Sequence, residues 1–98
     1  MIVSLIKLPI DYDHSHWRIR KQAREEYIRI QNGKCWHCGE MLDSPPPKEM
    51  LDVDLSPCSF PPNFFKYPIH LHHNKKTGMS IGAVHNTCNA VLFVLYGE

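Results

Sequence analysis

Residues 69–89 have the sequence IHLHHNKKTGMSIGAVHNTCN, in which two short apolar runs flank a polar turn. The runs Ile69–His73 and Met79–Val84 predict two strands, and Asn74–Gly78 between them predicts a turn that ends in glycine. Asn86–Leu95 then predicts a helix. Four of its apolar residues are available for burial: Ala90, Val91, Val94 and Leu95. A β-hairpin followed by a helix is a compact ββα unit, so the predicted fold class is α+β.

Two pairs of potential metal ligands repeat one spacing at the ends of the predicted elements. Two residues separate Cys35 from Cys38, and two separate His85 from Cys88. This spacing wraps a tight turn around one ion, and three cysteines with one histidine are an accepted structural zinc set. The sequence therefore predicts a structural Zn²⁺ that connects the first helix to the last and supports a small core. Cys58 lacks a partner at ligand spacing and is predicted to be a free, buried thiol.

The whole sequence, residues 1–98, is predicted to form a single domain. Its predicted parts are an extended arm or short strand (1–10), a basic helix (17–33), a zinc-binding turn (34–40), an irregular proline-rich insert (43–68) and the ββα unit (69–96). Within the turn, His37 is an alternative zinc ligand. Seven prolines exclude long regular elements from the insert. Four aromatic residues of the insert are expected to pack back on the core: Phe60, Phe64, Phe65 and Tyr67.

The basic helix has recognisable start and stop signals. Asp13 or Ser15 is predicted to cap its N-terminus, and Asn32-Gly33 is predicted to end it. Spacings of four, four and three residues place one apolar stripe on the helix. The stripe consists of Ile19, Ala23, Tyr27 and Ile30.

Charge is distributed unevenly along the 98 residues, although the formal net charge is only +1. Residues 17–34 carry six basic and two acidic side chains, whereas residues 43–54 carry four acidic and one basic. We expect Arg18, Lys21 and Arg24 to contact phosphates of DNA with little sequence preference. No run approaches the roughly 20 apolar residues that span a bilayer. The N-terminal residues also lack signal-peptide features, so a cytoplasmic protein is expected.

Histidines cluster at the end of the first predicted strand. Strand alternation places His70 and His72 on one face and His73 on the other. The strand end can nevertheless bring His72 and His73 to one pocket, towards which the last helix would present Asn89. Two imidazoles and an amide beside a basic surface suit metal-assisted phosphodiester hydrolysis. His70 is expected to hydrogen-bond structurally.

Together these motifs resemble the HNH, or ββα-metal, nuclease superfamily, and most closely its phage recombination endonuclease VII branch. The resemblance covers residues 34–95, interrupted by the insert. It implies a zinc-stapled ββα fold that cuts DNA with a divalent cation, here Mg²⁺, Mn²⁺ or Ni²⁺. By position, His73 takes the place of the general base, whereas His72 and Asn89 take the places of the catalytic metal ligands. Cys35, Cys38, His85 and Cys88 take the zinc places, and Lys76 lies in a turn from which it could reach a phosphate.

Three positions depart from the branch. His72 stands where an aspartate is usual, although colicin-type members have a His-His pair there. Imidazole suits transition metals better than Mg²⁺, which prefers oxygen ligands. Asn74-Lys75 replaces an Asp-His pair, so one family histidine is missing. His85 replaces a zinc-binding cysteine, which zinc tolerates.

Two alternatives to a phage-type endonuclease remain open. One is a zinc-stabilised nucleic-acid-binding module whose catalytic centre has been lost, and which lacks a second divalent-metal site. The other is an accessory protein that binds a host or phage protein through the acidic, proline-rich segment 43–62. For the nuclease we expect a monomer in the host cytoplasm.

Overall fold

The computed structural model describes residues 6–97, in which three helices accompany one two-stranded antiparallel sheet. In chain order the elements are α1 (Trp17–Ile30), α2 (Lys48–Leu51), β1 (Ile69–His73), β2 (Ser80–His85) and α3 (Asn86–Tyr96). The fold is therefore α+β. The last three elements follow the predicted ββα order, with β2 beginning one residue later than expected and α3 ending one residue later. Over the described residues, no helix has the length and apolarity to cross a membrane.

The described part of the predicted N-terminal arm pairs with the hairpin. Ile10 is buried, and its N–H donates to Ser80 Oγ at 2.9 Å. The Ile10 carbonyl accepts from the Ser80 N–H at 2.9 Å, and Tyr12 N–H donates to the Gly78 carbonyl at 2.7 Å. The chain therefore lies beside the start of β2 before it turns into α1. The rest of the predicted arm, residues 1–5, lies outside the described residues.

The N-terminus of α1 is capped by a residue that the sequence analysis did not select. His16 is the cap, and its Nδ1 accepts the Arg18 N–H at 3.2 Å. The prediction of Asp13 or Ser15 was wrong. The Ser15 hydroxyl instead donates to the Asp11 carbonyl in the turn before the helix.

The C-terminus of α1 agrees with the predicted stop. Asn32 and Gly33 both adopt left-handed backbone angles, with φ of 57° and 75°. The Gly33 N–H closes the helix by donating to the Ile28 carbonyl at 2.8 Å.

Only the centre of the predicted apolar stripe is buried. Ala23 and Tyr27 lie in the core, whereas Ile19 and Ile30 are exposed. A two-stranded sheet offers a narrow surface, so it covers the middle turns of α1 and leaves both ends in solvent.

The two strands pair in antiparallel register with one irregularity. Ile69 lies opposite His85, and His72 lies opposite Gly82, but His73 lies opposite Ser80. This register shift falls between His72 and His73. The extra residue is Ile81 of β2, so β2 bends at this point, beside the end of β1 at His73.

The outer edge of β2 is occupied by polar groups that follow α1. Gln31 Oε1 accepts the Ala83 N–H at 2.9 Å, and Gln31 Nε2 donates to the Ala83 carbonyl at 2.9 Å. The Trp36 N–H donates to the same carbonyl, also at 2.9 Å. The Gln31 amide therefore substitutes for a neighbouring strand, which covers an edge that would otherwise be open.

The insert is irregular, as its prolines predict, with α2 as the regular element among residues 43–68. Phe60 packs against Phe64 at 4.8 Å between ring centroids and against Phe93 of α3 at 6.1 Å. Phe65 and Tyr67 remain exposed, so the prediction that all four aromatic residues pack inward was wrong for these two.

The core lies where α1, the hairpin and α3 meet. Its buried members include Ala23, Leu71, Ala83, Val84, Cys88 and Leu92. Ala90 and Val91 are buried as predicted, whereas Leu95 is exposed because α3 extends past its packing partners. Cys58 is partly exposed, which corrects the prediction of a buried thiol.

We expect Ser80→Ala to lower the free energy of unfolding by about 1–3 kcal/mol. Ser80 Oγ accepts the buried Ile10 N–H and lies 2.9 Å from the Tyr27 hydroxyl, so alanine leaves both groups without this partner. Tyr27→Phe removes one of these bonds and should cost about 1 kcal/mol. Urea unfolding of the zinc-loaded proteins measures both values. Exposed Ser59→Ala is the matched control, and a Ser80→Ala protein as stable as this control would contradict the prediction.

Candidate metal centre and cleft

Four potential ligands lie close enough together to form a tetrahedral metal site: Cys35, Cys38, His85 and Cys88. Their ligand atoms all lie within 4.8 Å of one another. His85 Nδ1 is 3.4 Å from Cys38 Sγ and 3.6 Å from Cys88 Sγ. Zn–S and Zn–N bonds at a tetrahedral angle place sulfur and nitrogen about 3.6 Å apart. The Cys3His group can therefore hold a structural metal ion such as zinc.

The backbone around His85 selects the tautomer that a metal ligand needs. His85 Nε2 donates to the carbonyls of Met41 and Ser44, at 2.9 and 2.8 Å. The proton therefore lies on Nε2, and the lone pair of Nδ1 faces the thiols. A second partner of this kind orients metal-binding histidines in general. Met41 and Ser44 follow the first cysteine pair, so the turn that presents Cys38 also orients His85.

Contacts among the thiols of the cluster and burial shift their pKa values in opposite directions. A hydrogen bond from Cys88 is the largest effect on Cys35, and together with backbone N–H groups, chiefly that of Cys38, it lowers the Cys35 pKa to about 4. The same interaction and burial raise the Cys88 pKa. Burial also raises the pKa of Cys38. Three sulfurs that would repel one another as thiolates thus lie close together, and a dication bound between them would remove that repulsion.

Two separate parts of the structure position the two ligand pairs of the cluster. An isolated bridge between Lys34 and Met41 closes the turn that holds Cys35 and Cys38. His85 ends β2, and Cys88 lies in the first turn of α3. The cluster therefore joins the segment after α1 to the β2–α3 junction. Among residues 6–97 it is the one group of three or more His, Cys, Asp or Glu side chains that could hold a metal ion.

One turn of α3 carries both the last zinc-type ligand and an asparagine that contacts two histidines. Asn89 Oδ1 lies 3.3 Å from His72 Nδ1, and Asn89 Nδ2 lies 3.1 Å from His70 Nδ1. The amide NH₂ donates to His70, whose pKa is lowered by burial, so the amide oxygen faces His72. An amide oxygen can only accept a hydrogen bond, so the His72 Nδ1–H donates to Asn89 Oδ1 here.

His73 occupies a different environment from its neighbour. Its ring stacks on Tyr12 with centroids 3.9 Å apart and an interplanar angle of 3°. Burial lowers the pKa of His73, and attraction to Asp13 opposes that change. The stacking therefore holds the imidazole in one orientation, and the lowered pKa favours its neutral form.

A cleft of about 870 Å³ opens beside His73. His70, His73 and Asn89 all line it, whereas His72 does not and is only 1% exposed. The structure thus brings His73 and Asn89 to one cavity as predicted from the sequence. His72 is buried and does not share this cavity, because adjacent side chains of a strand point to opposite faces.

The cleft walls are basic. Four cationic residues line them: Arg20, Lys21, Arg24 and Lys75. No aspartate or glutamate of the described chain is among the lining residues. Of the predicted phosphate contacts, Lys21 and Arg24 are in the cleft, while Arg18 and Lys76 lie outside it. Arg20 and Lys75 were missed, although the spacing of Arg20 and Arg24 on one helix face could have identified the first.

The residues that depart from the endonuclease VII pattern have visible structural roles. Asn74 Oδ1 accepts the N–H groups of Lys76 and Thr77, at 2.8 and 3.1 Å, which forms the turn of the hairpin. Lys75 Nζ lies 3.5 Å from the centroid of the Phe93 ring. Asn74 therefore stabilises the hairpin turn, and Lys75 adds a positive charge to the cleft.

No protein-family model, curated protein or solved structure matches this chain. The resemblance to the HNH superfamily therefore stays a prediction based on the motifs and on the site's geometry.

Proposed function

We propose that this protein is a metal-dependent endonuclease of the HNH type that hydrolyses DNA phosphodiester bonds. One observation carries the proposal. His73 of β1 and Asn89 of α3 meet at a single cleft that is lined by basic side chains and by no carboxylate of the described residues. A polyanion is attracted to such a cleft, and an imidazole and a metal-binding amide are the groups that its hydrolysis needs.

His73 is the proposed general base. Its stacking on Tyr12 holds the imidazole in one orientation, which lets the ring accept a proton from water at a defined position. As that proton moves to His73, the water oxygen bonds to phosphorus and the bond to the 3′-oxygen breaks. The 3′-oxygen then takes a proton from solvent.

His72 and Asn89 are the proposed ligands of the catalytic cation, and Cys35, Cys38, His85 and Cys88 are the proposed ligands of structural zinc. A divalent cation at the first pair would supply positive charge to the phosphate and to the leaving 3′-oxygen. His70 positions the Asn89 amide by accepting from its NH₂ group, which leaves the amide oxygen directed at His72.

Lys21, Arg24 and Lys75 hold phosphates along the cleft. These contacts are independent of base identity, so we expect binding that weakens as salt rises and little sequence specificity. Lys76, in the hairpin turn, is proposed to contact a more distant phosphate, as is Arg18 near the start of α1.

The burial of His72 favours a second candidate, a zinc-stabilised nucleic-acid-binding module without catalysis. The His72 side chain is only 1% exposed, so a cation that exchanges with solvent has little access to it. This module would keep the basic cleft and the Cys3His group but would not cleave.

Conversion of supercoiled plasmid to nicked or linear DNA separates the two candidates. Zinc-loaded protein, freed of other metals, is incubated with no addition or with Mg²⁺, Mn²⁺ or Ni²⁺. We expect cleavage only with added metal, and faster with Mn²⁺ or Ni²⁺ than with Mg²⁺ because His72 supplies nitrogen. Asn89→Ala should lower the rate at least about 100-fold by removing a cation ligand.

Gln22→Ala is the matched control, since it removes an exposed amide of α1 that does not line the cleft. It should cleave like the unmodified protein. If the unmodified protein and Asn89→Ala are equally inert with every metal on plasmid, branched and single-stranded DNA, the binding module replaces the nuclease.

A further inference from the structure

The cleft has aromatic walls as well as basic ones. Six aromatic residues line it: Tyr12, Trp17, Phe60, Phe64, Tyr67 and Phe93. They come from the segment just before α1, from α1 itself, from the insert and from α3, so rings enter the cleft from several directions. Trp17 and Tyr67 are each 60% exposed. Arg18 lies 5.4 Å from the Trp17 ring centroid and Lys66 lies 5.7 Å from that of Tyr67, so each ring has a cation beside it and still exposes much of its surface.

Other side chains of the protein pack against several of these rings. Arg20 lies over the Tyr12 ring, with its guanidinium carbon 4.3 Å from the centroid. Phe64 packs edge-on against His70 at 4.6 Å between centroids. Aromatic residues of the cleft therefore contact both His70 and a cationic side chain.

Intact duplex DNA does not match this surface. A duplex presents phosphates and sugars to a protein and hides the faces of its bases inside the stack, so aromatic walls would gain no partner from it. Unpaired nucleotides offer a base face for each ring and a phosphate for each cation. Basic grooves with interspersed aromatic side chains are the general means of binding single strands.

We propose that the cleft binds unpaired nucleotides of a single strand, with base faces on Trp17 and Tyr67 and phosphates on Lys21 and Arg24. The inference rests on the proposed function only in placing the strand beside His73, and binding itself requires no cleavage. The cleft volume of about 870 Å³ lies within the range of preformed ligand sites, roughly 300–1,000 Å³.

Fluorescence anisotropy of labelled oligonucleotides tests the proposal without added divalent cation, so that cutting plays no part. The probes are dT8, rU8 and a blunt DNA duplex of the same length. We expect a single strand to bind at least about tenfold more tightly than the duplex and to quench Trp17 fluorescence. Trp17→Phe should abolish this quenching, because Trp36 does not line the cleft. The order of dT8 and rU8 shows whether the strand is DNA or RNA.

Tyr67→Ala and Tyr96→Ala form a matched pair, since the two tyrosines are 60% and 65% exposed and only the first lines the cleft. Tyr67→Ala should weaken single-strand binding about fivefold or more and change duplex binding less than twofold. Tyr96→Ala should change neither. Equal affinities for single strand and duplex, or equal effects of the two substitutions, would overturn the proposal. Tight single-strand binding by a protein that never cleaves would overturn the nuclease alone.

Discussion

Cys88→Ser is expected to abolish zinc retention and to unfold the protein at 25 °C. The apparent binding energy of structural zinc is about 10–16 kcal/mol in small zinc domains, which equals or exceeds the whole stability of about 5–15 kcal/mol of a typical domain. The Cys88 side chain is fully buried and lies in the cluster that joins the segment after α1 to α3. Without the metal, the segment after α1 and the start of α3 are no longer held together.

The measurement combines zinc content per chain with circular dichroism during heating. Cys58→Ser is the matched control, because Cys58 is a free, partly exposed thiol outside the cluster. It should keep one zinc per chain and its melting temperature. Chelation of zinc from the unmodified protein should reproduce the Cys88→Ser spectrum. A Cys88→Ser protein that melts like Cys58→Ser would show that the metal does not hold the fold together.

His73→Ala is expected to lower the rate of metal-dependent cleavage by about 10²–10⁴-fold, the usual contribution of a general base. The substitution removes the imidazole that accepts the proton of water, while His72, Asn89 and the Cys3His group stay in place. Zinc content, the circular dichroism spectrum and affinity for dT8 should therefore change little. Plasmid nicking under saturating Mn²⁺ measures the rate.

Two further observations separate catalysis from structure at His73. His14→Ala, which removes a highly exposed histidine outside the cleft, should cleave at the unmodified rate. Added imidazole should restore part of the activity of His73→Ala, because the space left beside Tyr12 lies in the open cleft. A His73→Ala protein with full activity would remove His73 from the base role.

Local sequence signals predicted the elements that local interactions stabilise. The glycine stop after α1, the hairpin turn at Asn74 and the order β1, β2, α3 all follow from neighbouring residues. The two pairs of ligands also follow from spacing, since a turn of two intervening residues directs both side chains to one ion. The cap of α1 escaped this reasoning because His16, a less common cap, competed with Asp13 and Ser15 nearby.

The sequence by itself determined the α+β class, the ββα order and the set of residues that can hold a metal. Only the tertiary structure decided what surrounds them. The bulge at Ile81 depends on how β1 pairs with β2, which the pattern of residues along one strand cannot indicate. The contacts of Gln31 with Ala83, and of Tyr12 with His73, join residues 52 and 61 positions apart in the printed sequence. Such contacts arise from packing between distant segments, so no local pattern encodes the cleft that these segments enclose.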